Sequence, residues 1–266
     1  MRLQQFLAQA GFGARRKCEQ FIIAGRVSVN GHVAQLGQSV QPGETVRVDG
    51  KPVSASEAKV YLALHKPVGY SSDLSDPQAK TMFELIDTTQ VPQRLFAVGR
   101  LDKDSSGLIL LTNDGDFAYR LTHPKFEHEK EYRVRVKGVP GEATLKQWRA
   151  GVLLDDETAK TAPAKVSIAE TQHGTSLLRV TMHEGRKRQI RRIAKLLGHP
   201  VVELVRVRVG GVLLGTLQSG KWRRLTREEV KALLHLSSPV SRTPISHDDD
   251  QRPRRRAPRL HKQERD

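Results

Sequence analysis

The first 53 residues alternate between helix-like and strand-like hydrophobic patterns. Two successive segments repeat apolar residues at the spacing of one helix face, and glycines end each segment. Polar and apolar residues then alternate over 26–29 before an Asn30-Gly31 turn, as in a hairpin. The pattern predicts a small α/β module. Its helical positions are Leu3, Phe6, Leu7, Ala10, Cys18, Phe21 and Ile22, with breaks at Gly11, Gly13 and Gly25.

From Lys59 to Leu236 short β-rich runs alternate with turn residues and a few helical stretches, which predicts an α+β domain. We therefore divide the chain into a small domain (1–53), a linker (54–58), a large domain (59–236) and a tail (237–266). The predicted strands are 60–64, 108–112, 132–136, 177–182 and 205–209, and the predicted helices are 117–121, 143–150 and 188–197.

The tail is rich in proline and arginine and has few residues to bury, so we expect it to be disordered. It serves either as a solubilising end or as a weak electrostatic arm for RNA.

Charge narrows the class of partner. Lys and Arg number 45 against 29 Asp and Glu, a net charge of +16, which favours nucleic acid first and an anionic membrane second. The single cysteine excludes an intramolecular disulfide and a cysteine-rich zinc site. Without a signal-peptide pattern or an uncharged run of 18 residues, we expect a cytoplasmic protein that does not span a membrane.

Two basic clusters could bind phosphate. The small domain offers Arg15, Arg16, Lys17 and Arg26, although a solvated helix start would look the same. The second cluster has six cations within residues 186–195, where helical spacing separates an apolar face from a basic one. Such crowding makes sense if phosphates or a buried carboxylate neutralise the charges, and a solvated basic face is the alternative. The basic face consists of Arg188, Arg191, Arg192 and Lys195.

Two other residues have the placement of site residues. Asp102 lies between two apolar runs with Gly99 and Gly107 on either side, although an ordinary surface-loop aspartate, as Asp104 would be, fits this spacing too. Tyr132 alternates with the apolar residues of a predicted strand, so it either belongs to the core or stacks on a base. No phosphate loop, dinucleotide fingerprint or paired histidine spacing occurs, so we expect no cofactor and no metal.

Several motifs, in order, resemble those of the ribosomal RNA pseudouridine synthases that carry an N-terminal RNA-binding domain of the ribosomal protein S-four type. The resemblance covers residues 1–236. Its motifs are Ala14-Arg15-Arg16, Gly25 to Gly31, Lys66-Pro67-Val68-Gly69-Tyr70, Gly99 to Asp102, Leu111 to Gly115, Lys130-Glu131-Tyr132 and Glu184 to Arg192. Residues 203–210 and 220–226 look more like the large-subunit than the small-subunit enzymes of the family.

The resemblance implies that the large domain has the pseudouridine synthase fold, a mixed, mainly antiparallel sheet with flanking helices. It also implies that Asp102 is the catalytic aspartate, Tyr132 the aromatic residue against the base, Arg191 the cation paired with Asp102, and Arg100 a residue that holds the nucleotide flipped out. We expect Arg188 and Lys195 to face phosphate. Ala14 departs from the serine often found there, which removes a helix cap worth about 1 kcal/mol.

The implied reaction moves the ribose bond of a uridine from nitrogen to carbon and needs no redox partner. A carboxylate can serve as nucleophile or base. Attack on the ribose, attack on the ring and proton abstraction remain three possible roles for Asp102. We expect a monomer acting on ribosomal RNA or a pre-ribosomal particle. The alternatives are a non-catalytic RNA-binding or ribosome-assembly factor and a basic protein at a membrane surface.

Overall fold

The computed structural model describes residues 1–53, 58–73 and 78–235. The predicted tail over 237–266 and most of the predicted linker lie outside these ranges. None of the helices in the described part combines the length and apolar character needed to cross a bilayer.

The small domain packs two helices against a four-stranded sheet. Strand order in the sheet is β2-β1-β3-β4, with each neighbouring pair antiparallel. Leu3 and Leu7 from the first helix meet Cys18 and Ile22 from the second in a core of their own, as the helical spacing predicted. The elements are α1 (Leu3–Gln9), α2 (Arg15–Ile23), β1 (Val27–Val29), β2 (His32–Val33), β3 (Val46–Val48) and β4 (Lys51–Pro52).

The large domain is built on one mixed sheet. Its order is β13-β5-β7-β11-β8-β10-β9, with β6 and β12 added beside β7 and β11; β11 with β7 is the parallel pair, and the other pairs are antiparallel. The strands are β5 (Tyr61–Lys66), β6 (Phe96–Val98), β7 (Ser106–Thr112), β8 (Lys130–Lys137), β9 (Lys165–Gln172), β10 (Thr175–Met182), β11 (Val201–Val209), β12 (Val212–Leu213) and β13 (Trp222–Arg224). The helices are α3 (Gly115–Thr122), α4 (Glu142–Ala150), α5 (Gln189–Leu196) and α6 (Arg227–His235), with 3-10 turns at Met82–Leu85 and Pro124–Phe126.

Strand β7 lies inside the sheet, between β5 and β11, and both of its faces are covered. Ile109 and Leu111 belong to the cluster that includes residues of α4 and α5, whereas Leu108 and Leu110 belong to the cluster beneath α3 and α6. A continuous apolar run is what burial on both faces requires. The loop before β7, which contains Asp102, is therefore attached to the most buried strand of the sheet.

Several elements of the large domain escaped the sequence-based prediction, namely strands β6, β9, β12 and β13 and helix α6. Strand β9 forms a sheet edge and exposes all but one of its positions, so it lacks a hydrophobic pattern. Helix α6 buries only Leu233 and presents charged residues in its first turn. All the predicted strands and helices were found, with ends that differ from the predicted ones by up to four residues.

Candidate active site

Asp102 lies in the loop between β6 and β7, and two glycines shape the path of that loop. Gly99 has φ +79° and Gly107 has φ +107°, conformations that side chains disfavour. A Cβ on Gly107 would lie only 2.3 Å from the carbonyl oxygen of Arg206 on neighbouring β11. The close approach of the two parallel strands therefore requires glycine at position 107.

The loop is held by the segment that follows β5. The Ser72 hydroxyl donates to the carbonyl of Leu101 at 2.7 Å, and the Gly69 amide donates to the carbonyl of Lys103 at 2.7 Å. Within the loop, the Ser105 amide donates to the carbonyl of Asp102 at 3.0 Å. Main-chain bonds on both sides of Asp102 thus fix its position.

A cleft of about 600 Å³ contains Asp102 and Tyr132 in its wall. Tyr132 is only 7% exposed and belongs to the core cluster, whereas the Asp102 side chain is 32% exposed. The sequence placed these two residues in one site, and the structure brings them to one cleft. The remaining wall residues come from 71–73, 99–105 and 182–190, together with Leu204.

The predicted Arg191–Asp102 ion pair is wrong in this structure. Arg191 donates from Nη2 to the carbonyl of Asp104 at 2.7 Å and to the Ser105 hydroxyl at 3.2 Å, and its Nε lies 3.4 Å from Asp104 Oδ2. The cation nearest Asp102 is Arg188, with Nη1 3.9 Å from Oδ2. Arg188 also forms two bonds to the Asp104 carboxylate, at 3.1 and 2.7 Å, instead of standing free for phosphate.

The backbone at the start of α5 explains why Arg188, and not Arg191, lies nearest Asp102. The prediction treated Arg188 as helical and measured angles around the helix from it. The helix begins at Gln189, and Arg188 precedes it in a left-handed conformation with φ 51°, which is uncommon for a residue with a side chain. The position of its guanidinium therefore does not follow helical spacing, and Arg188 reaches the loop that contains Asp102.

Asp104 is consequently more than an ordinary turn residue. Its partial burial opposes ionisation, but the hydrogen bond from Arg188 and the charges of Arg191 and Arg188 outweigh burial and lower the pKa of the carboxyl. The ionised Asp104 joins the Asp102 loop to α5.

Two further predicted phosphate contacts are also engaged within the protein. Arg192 forms ion pairs with Asp156 and, at 3.5 Å, with Glu157. Arg26 bonds the Asp49 carboxylate at 2.8 and 2.6 Å and lies over the ring of Phe21. Both sets of partners are distant in sequence, so their pairing left no local signal.

Other predicted cations remain exposed. Arg15, Arg16, Lys17 and Lys195 have no ion pair within the described ranges. The first three follow Ala14, which is the N-cap of α2 and makes no side-chain cap bond, as expected. Arg100 is 74% exposed at its side chain and lies 3.9 Å from Asp73.

Two buried cations, Lys66 and Arg206, and the half-buried Lys130 escaped the sequence-based prediction. Lys66 is fully buried and donates to the carbonyls of Pro67 and Tyr70; burial lowers its pKa to about 8, while Asp104 and Asp102 act in the opposite direction. Burial, and then the charge of Arg206, lower the pKa of Lys130 to about 8. Arg206 is 3% exposed and donates to the carbonyls of Leu108 and Arg100, on either side of the Asp102 loop.

The sequence offered one signal for these cations. Lys66 stands in one of the family motifs, but we assigned it no role there. Lys66 binds the main chain of the segment that holds the Asp102 loop, and Arg206 binds the main chain on both sides of that loop.

Comparison with known proteins identifies the class. A family model described as RNA pseudouridylate synthase matches residues 60–195, and one described as S4 domain matches residues 1–46. The chain belongs to the RNA pseudouridylate synthase family and carries an S4 domain at its N-terminus. The enzyme class and the fold predicted from the sequence are thereby confirmed.

Individual relatives cover nearly the whole described chain. A ribosomal large subunit pseudouridine synthase B of Bacillus subtilis is 41% identical over 239 residues, covering 89% of this chain and 96% of the relative. An uncharacterized RNA pseudouridine synthase of Aquifex aeolicus is 42% identical over 237 residues, or 88% and 93% of the two chains. A crystal structure of a pseudouridylate synthase matches with a TM-score of 0.65 and 31% identity, covering 88% of this chain and 99% of the other.

Proposed function

We propose that this enzyme converts a uridine of large-subunit ribosomal RNA to pseudouridine, with Asp102 as its catalytic aspartate. The substrate assignment is supported by relatives from Bacillus subtilis and Shigella flexneri, which are 41% and 40% identical and are both named ribosomal large subunit pseudouridine synthase B. The observation that carries the catalytic assignment is the presence of Asp102 and Tyr132 in one cleft, with a guanidinium 3.9 Å from the carboxylate.

The conversion of uridine to pseudouridine requires little from the protein beyond one carboxylate and a cleft of suitable shape. The bond between C1′ of the ribose and N1 of uracil breaks, and a bond from C1′ to C5 forms. The hydrogen on C5 leaves as a proton and N1 takes one up, so atoms and electrons balance without a donor or an oxidant. An ionised Asp102 can act as nucleophile or base in such a sequence.

The target base must leave its stack to reach the cleft, which costs a few kcal/mol. Tyr132 supports this step because a base stacked on an aromatic ring regains about 1–3 kcal/mol. Arg100, exposed at the edge of the same cleft, is suited to hold the phosphate of the flipped nucleotide. The exposed cations at the start of α2 supply attraction to the RNA backbone from the S4 domain.

The experiment is a comparison of pseudouridine positions in ribosomal RNA from cells with and without the gene, followed by complementation. We expect one large-subunit position to lose pseudouridine and the wild-type gene to restore it. Asp102→Asn should fail to restore it while binding RNA within about tenfold of wild type, because the amide keeps the shape and loses the charge. Asp155→Asn, at an exposed position outside the cleft, is the matched control. Unchanged positions, or restoration by Asp102→Asn, would contradict the proposal.

A further inference from the structure

A second cleft, of about 830 Å³, lies between the S4 domain and the large domain. Ser72, Asp73, Gly99 and Arg100 line both this interdomain cleft and the catalytic cleft. The two clefts therefore adjoin at Arg100, two residues before Asp102. The reaction proposed above uses only the catalytic cleft.

Contacts between the two domains give the interdomain cleft a defined width. Gln5 on α1 donates to the Asp116 carboxylate on α3 at 3.5 Å. Arg94 Nη1 lies 3.3 Å from the position that a Cβ on Gly13 would occupy, and Arg15 Nη2 lies 3.7 Å from the equivalent position on Gly115. The S4 domain thus forms one wall and the start of α3, with β6, forms the other.

The aromatic residues of this cleft stand out from the rest of the described surface. Among the large hydrophobic side chains exposed on the described surface, two are aromatic. They are Phe96, 39% exposed, and Tyr119, 49% exposed. Both line the interdomain cleft. Exposed aromatic rings that gather in one concave site are typical of ligand binding, and a nucleobase stacks on such rings whatever its sequence.

The charges of the cleft suit a phosphate. Arg15, Arg94 and Arg100 line it, and the carboxylates in its wall are Asp73 and Asp116. Arg15 and Arg94 are exposed and make no ion pair with any residue that the structure describes. Arginines of both domains therefore face a cleft whose volume is in the range of ordinary small-ligand sites, 300–1,000 Å³.

We propose that the interdomain cleft binds an unpaired nucleotide of the RNA substrate that lies next to the target uridine. Its base stacks on Phe96 and Tyr119, and its phosphate contacts Arg15, Arg94 or Arg100. This inference rests on the proposed function, since it takes the target uridine to occupy the catalytic cleft. Arg100 then contacts the backbone between the two nucleotides.

The proposal has a consequence for specificity. Stacking tolerates any base, but the nucleotide must be free to leave its own helix. The enzyme should therefore select a uridine beside an unpaired nucleotide, and the geometry of the RNA loop should matter more than the identity of the neighbouring base.

The test combines RNA and protein changes in one cycle. The probe is the ribosomal RNA stem-loop around the mapped uridine, with an abasic site placed in turn at each of three positions on either side. Dissociation constants are measured for the full-length wild-type chain and for a Phe96→Ala, Tyr119→Ala double variant. We expect one abasic position to weaken wild-type binding by about tenfold to a hundredfold. The double variant should bind the intact RNA equally weakly and lose no more than about twofold at that position.

Two control variants keep the test specific. A Phe96→Tyr, Tyr119→Phe variant retains both rings and should bind as wild type does. Val139→Ala changes an exposed apolar side chain outside both clefts and should have no effect. Equal effects of every abasic position, or additive effects of RNA and protein changes, would overturn the proposal. Thermal melting of each variant checks that the exposed truncations leave the domain folded.

Ultraviolet cross-linking of the full-length protein to purified ribosomal RNA separates this proposal from the preceding one. Cross-links at Phe96 or Tyr119 support the nucleotide site even if pseudouridine mapping shows no change. Loss of a pseudouridine in cells without the gene, with wild-type binding by the double variant, would leave the proposed function intact and sink the interdomain site.

Discussion

The basic starts of α2 and α5 look alike in the sequence and differ in what their cations do. Arg15, Arg16 and Lys17 are exposed and have no carboxylate partner in the described part of the chain. Arg188 and Arg191 both bind Asp104 or its main chain. Cations of the first kind are free to bind phosphate, whereas those of the second kind fix the loop that contains Asp102.

The number of arginines in the chain therefore does not measure its capacity to bind RNA. A guanidinium already held by a carboxylate brings little net attraction for phosphate, but its planar donors are well suited to fix a loop. Some of the cations behind the net charge of +16 therefore attract the RNA electrostatically, whereas others position a loop.

The largest expected effect comes from removing a positioning cation. Arg191→Ala takes away donors to the Asp104 carbonyl and the Ser105 hydroxyl from a side chain only 14% exposed. A misplaced catalytic group can cost about a hundredfold in rate. We expect the single-turnover rate at saturating RNA to fall by about that factor, with the dissociation constant changed by less than about threefold.

Lys195→Ala is the matched control for Arg191→Ala, since Lys195 lies on the same helix and is exposed. It should keep the wild-type rate and flatten the salt dependence of binding by about one phosphate contact. If Arg191→Ala lost affinity alone, the distinction between the two kinds of cation would fail.

The next effect concerns the free cations of α2. Replacing Arg15, Arg16 and Lys17 with alanine removes up to three phosphate contacts, so the slope of log affinity against log salt should fall by about 2 to 3. The rate at saturating RNA should stay within about twofold of wild type, because these residues lie outside the catalytic cleft. Binding measured at several salt concentrations tests this, and an unchanged slope would show that α2 does not contact the backbone.

The same contrast explains which parts of the molecule the sequence could predict. The helices of the small domain and the strands of the large domain follow from spacings within one element, such as the alternation that buries Tyr132. Asp102 could be proposed as a site residue because its motif is continuous in the chain. The partners of Arg188 and Arg191 stand 84 and 87 residues earlier, and no spacing rule reaches across that separation.

Backbone conformation was the second source of error. The prediction assumed that Arg188 belongs to α5, but its left-handed φ places it before the first turn of the helix. Arg206 was missed for a related reason, because its guanidinium reaches the Asp102 loop only through the close approach of β7 and β11 at Gly107. Both residues depend on tertiary geometry.

The bonds of Asp104 should also make the stability of the protein depend slightly on pH. The pKa of Asp104 is lowered in the folded protein, so the unfolded chain takes up a proton at higher pH than the folded chain does. The stability contributed by its bonds is complete above the ordinary pKa of an aspartate and is lost as pH falls through the lowered value. Because Asp104 is 45% exposed at its side chain, we expect a contribution of about 1 kcal/mol or less.

Urea denaturation of wild type and Asp104→Asn between pH 7 and pH 3 measures this contribution. The difference in unfolding free energy should be constant from pH 7 to pH 5 and shrink below about pH 4. Asp155→Asn, which removes an exposed carboxylate without an ion pair in the described ranges, should give a smaller difference at pH 7. A difference that grows as the pH falls would mean that the Asp104 carboxylate is not stabilised by Arg188 and Arg191, and that α5 holds the Asp102 loop through main-chain bonds alone.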